Sequence, residues 1–92
     1  VVDDYEAALQ ALNAVRFGLC AGLYTTSLAR ADHFKRNARV GMTMINLPTA
    51  GVDYHAPFGG MKASSYGARE QGRATRDFYT LTRTAYQDAG RA

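Results

Sequence analysis

The chain has 92 residues, 47% hydrophobic and 21% charged, with 11 Lys and Arg against 8 Asp and Glu for a formal charge of +3, and a single cysteine. One cysteine excludes an internal disulfide framework and a cysteine-rich zinc site, so packing or another chain must supply stability, and a reducing compartment is the natural setting. No apolar run nears the roughly 18 residues of a membrane span and no basic-then-apolar leader opens the chain, so a soluble cytoplasmic protein is expected.

Asp3-Asp4-Tyr5-Glu6 sets an N-cap candidate three residues ahead of a Glu, a capping-box variant at the positive end of a helix dipole. Tyr5, Ala8, Leu9, Leu12 and Val15 then recur at helical spacing, which predicts an amphipathic helix running to Gly18. Leu19 to Thr25 is short, apolar and bounded by Gly18 and Thr26-Ser27, as a buried strand would be. Thr26 or Ser27 caps a second helix whose apolar stripe is Leu28, Ala31, Phe34 and Ala38, ending at Gly41. Met42 to Leu47 reads as another buried strand, stopped by Pro48. The order helix, strand, helix, strand with short connections predicts an α/β fold with parallel strands and helical crossovers.

Pro48 to Ala68 has no period of either kind and holds both prolines and four of the nine glycines. Aperiodic stretches this long are usually functional. Arg69 to Tyr79 reads as a terminal helix with a small-residue stripe at Gly72, Thr75 and Phe78, and Leu81 to Tyr86 alternates as an edge strand that pairs outside the segment. A chain of this size buries about 60–70% of its unfolded surface, enough for one modest core but not for a core, a cofactor cleft and a substrate pocket together. With its Val1-Val2 start, it reads as a piece of a larger domain.

Cys20 sits among Leu19, Ala21 and Leu23 with no neighbouring base, which favours a buried structural thiol over a nucleophile. His33 lacks a second ligand one helical turn away and reads as a helix-surface histidine. Asp53, His55 and Ser64 or Ser65 share the long loop and contain the residue types of a nucleophile-base-orienter set, without spacing that demands one. Gly59-Gly60-Met61-Lys62-Ala63-Ser64 lacks the spacing of a phosphate loop, and Gly-x-Gly-x-x-Gly is absent. Nine Arg against two Lys, with Arg69, Arg73 and Arg76 on one predicted face and Arg30, Lys35, Arg36 and Arg39 on another, would suit an anionic partner. Interleaved Asp32, Glu70 and Asp77 favour solvated faces with internal ion pairs instead.

Pro57-Phe58-Gly59-Gly60-x-Lys62-x-Ser64, followed by Gly67, Arg69-Glu70 and Gly72, closely resembles the C-terminal signature of the NAD(P)-dependent aldehyde dehydrogenase superfamily. Asp3-Asp4-Tyr5-Glu6-x-Ala8, Asn13, Phe17-Gly18-Leu19-x-Ala21-Gly22-Leu23-x-Thr25 and Gly41-x-x-x-Ile45-Asn46 are similar to preceding parts of that family, in the family's order. Asn46 to His55 together with Ser64 to Gly72 is most similar to the subgroup that oxidises α-ketoglutaric semialdehyde, also called 2,5-dioxovalerate. Ser65 in place of a usual Gly, and Ala68 as an extra residue before Arg69-Glu70, match that subgroup rather than the commonest pattern.

The resemblance implies the C-terminal part of an aldehyde dehydrogenase catalytic domain, with residues 1–80 as catalytic-domain portion and 81–92 as an oligomerisation strand and tail. It implies oxidation of an aldehyde to a carboxylic acid with NAD or NADP through a cysteine thiolate, a Glu-activated water and an Asn-containing oxyanion site. Those groups and the dinucleotide-binding domain would lie upstream of Val1, so the 92 residues alone are expected to be inactive. Cys20 falls where the family usually has Ser or Ala. Phe58 matches an aromatic at the aldehyde and nicotinamide end of the site, with a loop anchor in the core as the alternative. Leu19 matches a residue near the nicotinamide, and Thr49 to His55, including Val52, Tyr54 and His55, match the loop at the substrate entrance. Gly59 and Gly60 would serve backbone turns, and Lys62, Arg69 and Glu70 would be structural ion-pair members. Homo-oligomerisation to a dimer or tetramer through Leu81–Tyr86 is implied, with no metal, nucleic acid or membrane partner. Two other readings stand beside it: a small basic interaction module for an anionic partner, and an inactive truncated fragment.

Overall fold

A computed structural model of the chain describes residues 1–90. Asp4, in extended backbone, caps helix α1 (Tyr5–Ala14) by accepting a hydrogen bond from the Ala7 amide at 2.8 Å. Ala7, not Glu6, therefore occupies the third helical position, and the reciprocal half of a capping box is missing. The helix also stops earlier than the apolar spacing predicts. Val15 turns extended so that β1 (Phe17–Gly18) can pair antiparallel with β4 (Met61–Lys62), Phe17 opposite Lys62 and Gly18 opposite Met61. Lys62 Nζ reaches back to donate to the carbonyls of Leu12, Asn13 and Val15, at 3.4, 3.3 and 2.8 Å. An ammonium there satisfies acceptors that a helix end leaves open and opposes the negative end of its dipole.

β2 (Cys20–Leu23) and β3 (Met42–Ile45) form the expected parallel pair, in register from Cys20 opposite Met42 to Leu23 opposite Ile45. Between them runs α2 (Leu28–Asn37), capped by Ser27, whose side chain accepts from the Arg30 amide. The ladder is prolonged by a side chain. Asn46, at φ 56°, accepts from the Thr25 amide through Oδ1 at 2.8 Å and donates to the Thr25 carbonyl through Nδ2 at 2.9 Å, as a further strand residue would. Asn13 stitches the helix ends in the same way, donating to the Asn37 carbonyl at 2.9 Å and accepting from the Arg39 amide at 2.7 Å.

The core is Ala21, Phe34, Ala38 and Val40, with Tyr5, Leu9 and Leu12 of α1 and Leu23 and Ile45 of the strands packed against it. Ala31 is buried as predicted, but Leu28 is 83% exposed, so the stripe on α2 begins one turn later than read. The helix ends at Asn37, ahead of Gly41.

Beyond Pro48 the aperiodic stretch is more ordered than its sequence suggests. Besides β4, Phe58 and Glu70 form an antiparallel bridge through two backbone hydrogen bonds of 2.7 and 2.8 Å. That bridge holds Glu70 extended, and Gln71 (φ 64°) and Gly72 (φ 52°) then take left-handed backbone. The helix predicted from Arg69 is consequently cut down to a 3-10 turn at Gly72–Ala74 and α3 (Thr75–Tyr79). The close packing read into a Gly72 stripe is made elsewhere: a Cβ at Gly72 would fall on the carbonyl of His55.

Leu81 to Tyr86 forms no strand, with Leu81 92% and Tyr86 97% exposed. A strand needs a ladder partner, and none faces this segment among the described residues. The segment lengthens the molecule, whose radius of gyration of 19.4 Å compares with about 12 Å for a globule of this length. Arg91 and Ala92, the end of the expected tail, lie outside the described residues.

Gly41 is where the parts meet. A Cβ there would fall on the Gly59 carbonyl, a rigid backbone atom. Gly41→Ala is expected to cost at least about 2 kcal/mol, read as a lower denaturation midpoint. Lys62→Met keeps the apolar stem but removes the donor, and should cost about 1–2 kcal/mol, with loss of helicity in α1 visible as weakened amide-exchange protection.

Candidate functional site

The Pro57-to-Gly72 stretch is held by its backbone. The Ser64 hydroxyl accepts from the Gly18 amide at 2.8 Å, the Ser65 hydroxyl accepts from the Gly60 amide at 2.6 Å, and the Ala63 amide donates to the Arg16 carbonyl at 3.2 Å. The Arg69 guanidinium donates to the Gly60 carbonyl. Gly60 lies so close to Leu19 that an added Cβ would stand 3.2 Å from its Cα. The two glycines of the motif therefore seat its loop against β1, Leu19 and Gly41. Phe58, fixed by its bridge to Glu70, is half-buried and stands outside the core cluster of the described residues.

Lys62, Arg69 and Glu70 differ from expectation. Lys62 and Arg69 serve main-chain carbonyls and Glu70 contributes its backbone, and none of the three enters an ion pair among the described residues. Their geometry explains why: a guanidinium or ammonium aimed at a loop or helix carbonyl satisfies a group that the turn leaves open.

Leu19 lines a cavity of about 260 Å³ together with Leu12, Val15, Phe17, Cys20 and Val40, and Gly18 and Ser64 give it a polar edge. Sequence spacing places Leu12 and Val15 on a helix stripe and marks Cys20 as a thiol, but it does not bring them together with Phe17 and Val40, which come from separated elements. No cationic side chain lines the cavity. A flat apolar ring suits such walls, whereas a pyrophosphate would find no charged partner. Cys20 is half-buried at the start of β2, and burial pushes its thiol above the ordinary value, only partly offset by a hydrogen bond from the Ala21 backbone. It has the character of a packed thiol rather than an activated one.

Val52, Tyr54, His55 and Phe58 do not line that cavity. Val52 is half-buried, whereas Tyr54 and His55 are exposed. The Thr49-to-His55 loop is anchored by the Gly72 amide, which donates to the Tyr54 carbonyl at 3.2 Å, and by the Ala56 amide, which donates to the Asp53 carbonyl at 3.1 Å. Asp53 and His55 do meet, with Oδ1 3.0 Å from Nδ1. Ser64 and Ser65 make no contact with that pair, since their hydroxyls are engaged by Gly18 and Gly60, so no nucleophile-base-orienter set assembles.

Elsewhere, Lys35 pairs with Asp32 at 2.6 Å, which holds the Asp32 carboxyl below its usual range, and the Tyr5 hydroxyl lies 2.8 Å from His33 Nδ1. Among the described residues there is no cluster of three metal-ligating side chains, and no helix is long and apolar enough to cross a membrane.

Comparison with known proteins places this arrangement. The profile described as "Aldehyde dehydrogenase family" matches residues 1–85. An α-ketoglutaric semialdehyde dehydrogenase of Bacillus subtilis is 45% identical over 85 residues, covering 92% of this chain and 17% of that protein. An α-ketoglutarate semialdehyde dehydrogenase of Haloferax volcanii is 40% identical over 86 residues, covering 92% and 18%. Among solved structures, an indole-3-acetaldehyde dehydrogenase of P. syringae, in complex with NAD+ and IAA, superposes with a TM-score of 0.78 at 35% identity, over 87% of this chain and 16% of that one. The chain thus spans about one sixth of the length of the relatives it matches, over nearly all of its own residues. On the family profile and these relatives, the chain belongs to the aldehyde dehydrogenase family.

Proposed function

We propose that this chain acts as part of an NAD- or NADP-dependent aldehyde dehydrogenase that oxidises α-ketoglutaric semialdehyde to the corresponding carboxylic acid, and that its own share is a wall of the substrate passage. The observation that carries the reading is the seat of the Pro57-to-Gly72 loop: Gly59 and Gly60 lie on Gly41 and Leu19, in a chain 45% identical to an α-ketoglutaric semialdehyde dehydrogenase. Phe58 and Leu19 give apolar surface to the aldehyde and to the nicotinamide ring, and Val52, Tyr54 and His55 line the entrance. NAD or NADP, when bound, would supply the hydride acceptor. The protein's apolar residues shield that transfer from bulk water. No cationic side chain lines the cavity, so the cavity itself suits the ring end of the cofactor rather than its phosphates. The exposed Leu81–Tyr86 segment gains a ladder partner from a neighbouring subunit's sheet, which gives residues 81–92 a role in a homo-oligomer.

In the full-length protein, α-ketoglutaric semialdehyde should drive reduction of NAD or NADP, and Phe58→Ala should lower kcat/KM by about tenfold. No turnover of any aldehyde would overturn the proposal, and the 92 residues by themselves should reduce neither cofactor. Cys20→Ala in the same protein should retain turnover, far from the complete loss expected on removing a nucleophile, because the raised thiol does not supply it. Iodoacetamide should modify Cys20 more slowly than free cysteine at neutral pH, with the rate climbing only at more alkaline pH than for free cysteine.

A further inference from the structure

Phe58 is followed by two glycines, the residue type with the widest backbone freedom, before β4 begins at Met61. Gly59, at φ 155°, takes backbone that a side chain would strain. The Phe58 peptide groups are fixed by the bridge to Glu70, but the glycines after it depend on two side chains. The Ser65 hydroxyl accepts from the Gly60 amide at 2.6 Å, and the Arg69 guanidinium donates to the Gly60 carbonyl. No other side chain among the described residues bonds to Gly59 or Gly60. Ser65 is itself well placed to hold them. Its neighbour Ser64 accepts from the Gly18 amide of β1 at 2.8 Å, and the Ser64 amide donates to the Met61 carbonyl at 3.2 Å. Through Ser64 and Ser65, β1 is thus tied to the flexible pair that carries Phe58.

We propose that Ser65 is a positioning residue for the wall of the substrate passage: by holding the Gly60 amide, its hydroxyl fixes the Gly59–Gly60 pair and, through it, the place of the Phe58 ring. The proposal rests on the reading of Phe58 as part of that wall. The two clamps on Gly60 differ in surroundings. Arg69 is half-buried, whereas Ser65 is exposed. Where the Ser65 hydroxyl is removed, water can accept from the Gly60 amide, so the fold loses little. Water is not tethered to β1, however, and cannot return the two glycines to one conformation. The loss therefore falls on the placement of Phe58 against the aldehyde and not on stability. It is expected in KM for the aldehyde, because the ring makes an apolar contact and takes no part in bond making.

The test is a double-mutant cycle in the full-length protein, read as kcat/KM for α-ketoglutaric semialdehyde. Ser65→Ala should lower kcat/KM by about fivefold, chiefly through KM for the aldehyde, with Tm within about 2 °C of the parent. In a Phe58→Ala background the same substitution should change kcat/KM by less than about twofold, since the ring through which Ser65 acts is gone. Ser65→Thr keeps the hydroxyl and should stay within about twofold of the parent. The positioning role is overturned if Ser65→Ala leaves kcat/KM within about twofold of the parent, or costs the same factor with and without the Phe58 ring. A fall in Tm of more than about 5 °C for Ser65→Ala, or a loss in Ser65→Thr equal to that in Ser65→Ala, overturns it as well. A parent that does not oxidise the semialdehyde overturns the functional reading instead, and an unchanged kcat/KM in Phe58→Ala alone overturns the wall, so the failures are distinguishable.

Discussion

The approach of two backbones at Gly41 is the constraint on which the remaining contacts depend. The Gly41 amide donates to the Gly18 carbonyl at 2.9 Å and the Met42 amide to the Leu19 carbonyl at 3.0 Å, which starts the parallel pair. From the other side the Gly59 carbonyl occupies the space that a side chain at Gly41 would take. Strand pair, antiparallel β1–β4 pair and motif loop therefore converge on a residue that contributes no side chain. Once they are that close, polar backbone groups on both sides need partners: Ser65 and Arg69 serve the amide and carbonyl of Gly60, and Ser64 serves the Gly18 amide of β1. Phe58 reaches its place by this backbone accounting, not by burial of its ring.

The same logic explains how the chain uses its basic residues. Lys62 and Arg69 spend their charge on carbonyl dipoles, and Lys35 is engaged by Asp32. The excess of cations over anions thus does not translate into an uninterrupted basic surface, and the reading of the chain as a module for an anionic partner loses the motif-loop part of its support.

What was legible in the sequence was local. Ser27 before a stripe at Ala31, Phe34 and Ala38 identifies α2, and two short apolar runs on either side of it identify the parallel pair. The motif from Pro57 to Gly72 identifies the family because its residues are consecutive. The rest depends on contacts between distant positions. β1 and β4 have two residues each, too few to show a period. Lys62 caps a helix some fifty positions away, and Asn13 and Asn46 act as surrogate backbone across more than twenty. The helix expected from Arg69 has a sound local pattern, yet the Phe58–Glu70 bridge overrides it. Cys20 is legible as a packed thiol from its neighbours, whereas its position on a cavity wall is not, since that wall draws on α1, β1 and Val40 as well.

The core described above consists of two alanines, one valine and one phenylalanine. Heat capacity of unfolding and denaturant sensitivity both scale with the apolar area newly exposed, so a nucleus this small supplies little of either. The free-energy curve of these residues is correspondingly shallow in temperature, and its curvature grows with whatever surface covers Phe17, Leu47 and Tyr66. Cooperative unfolding in this segment would therefore draw on surface packed against those exposed side chains more than on its own nucleus.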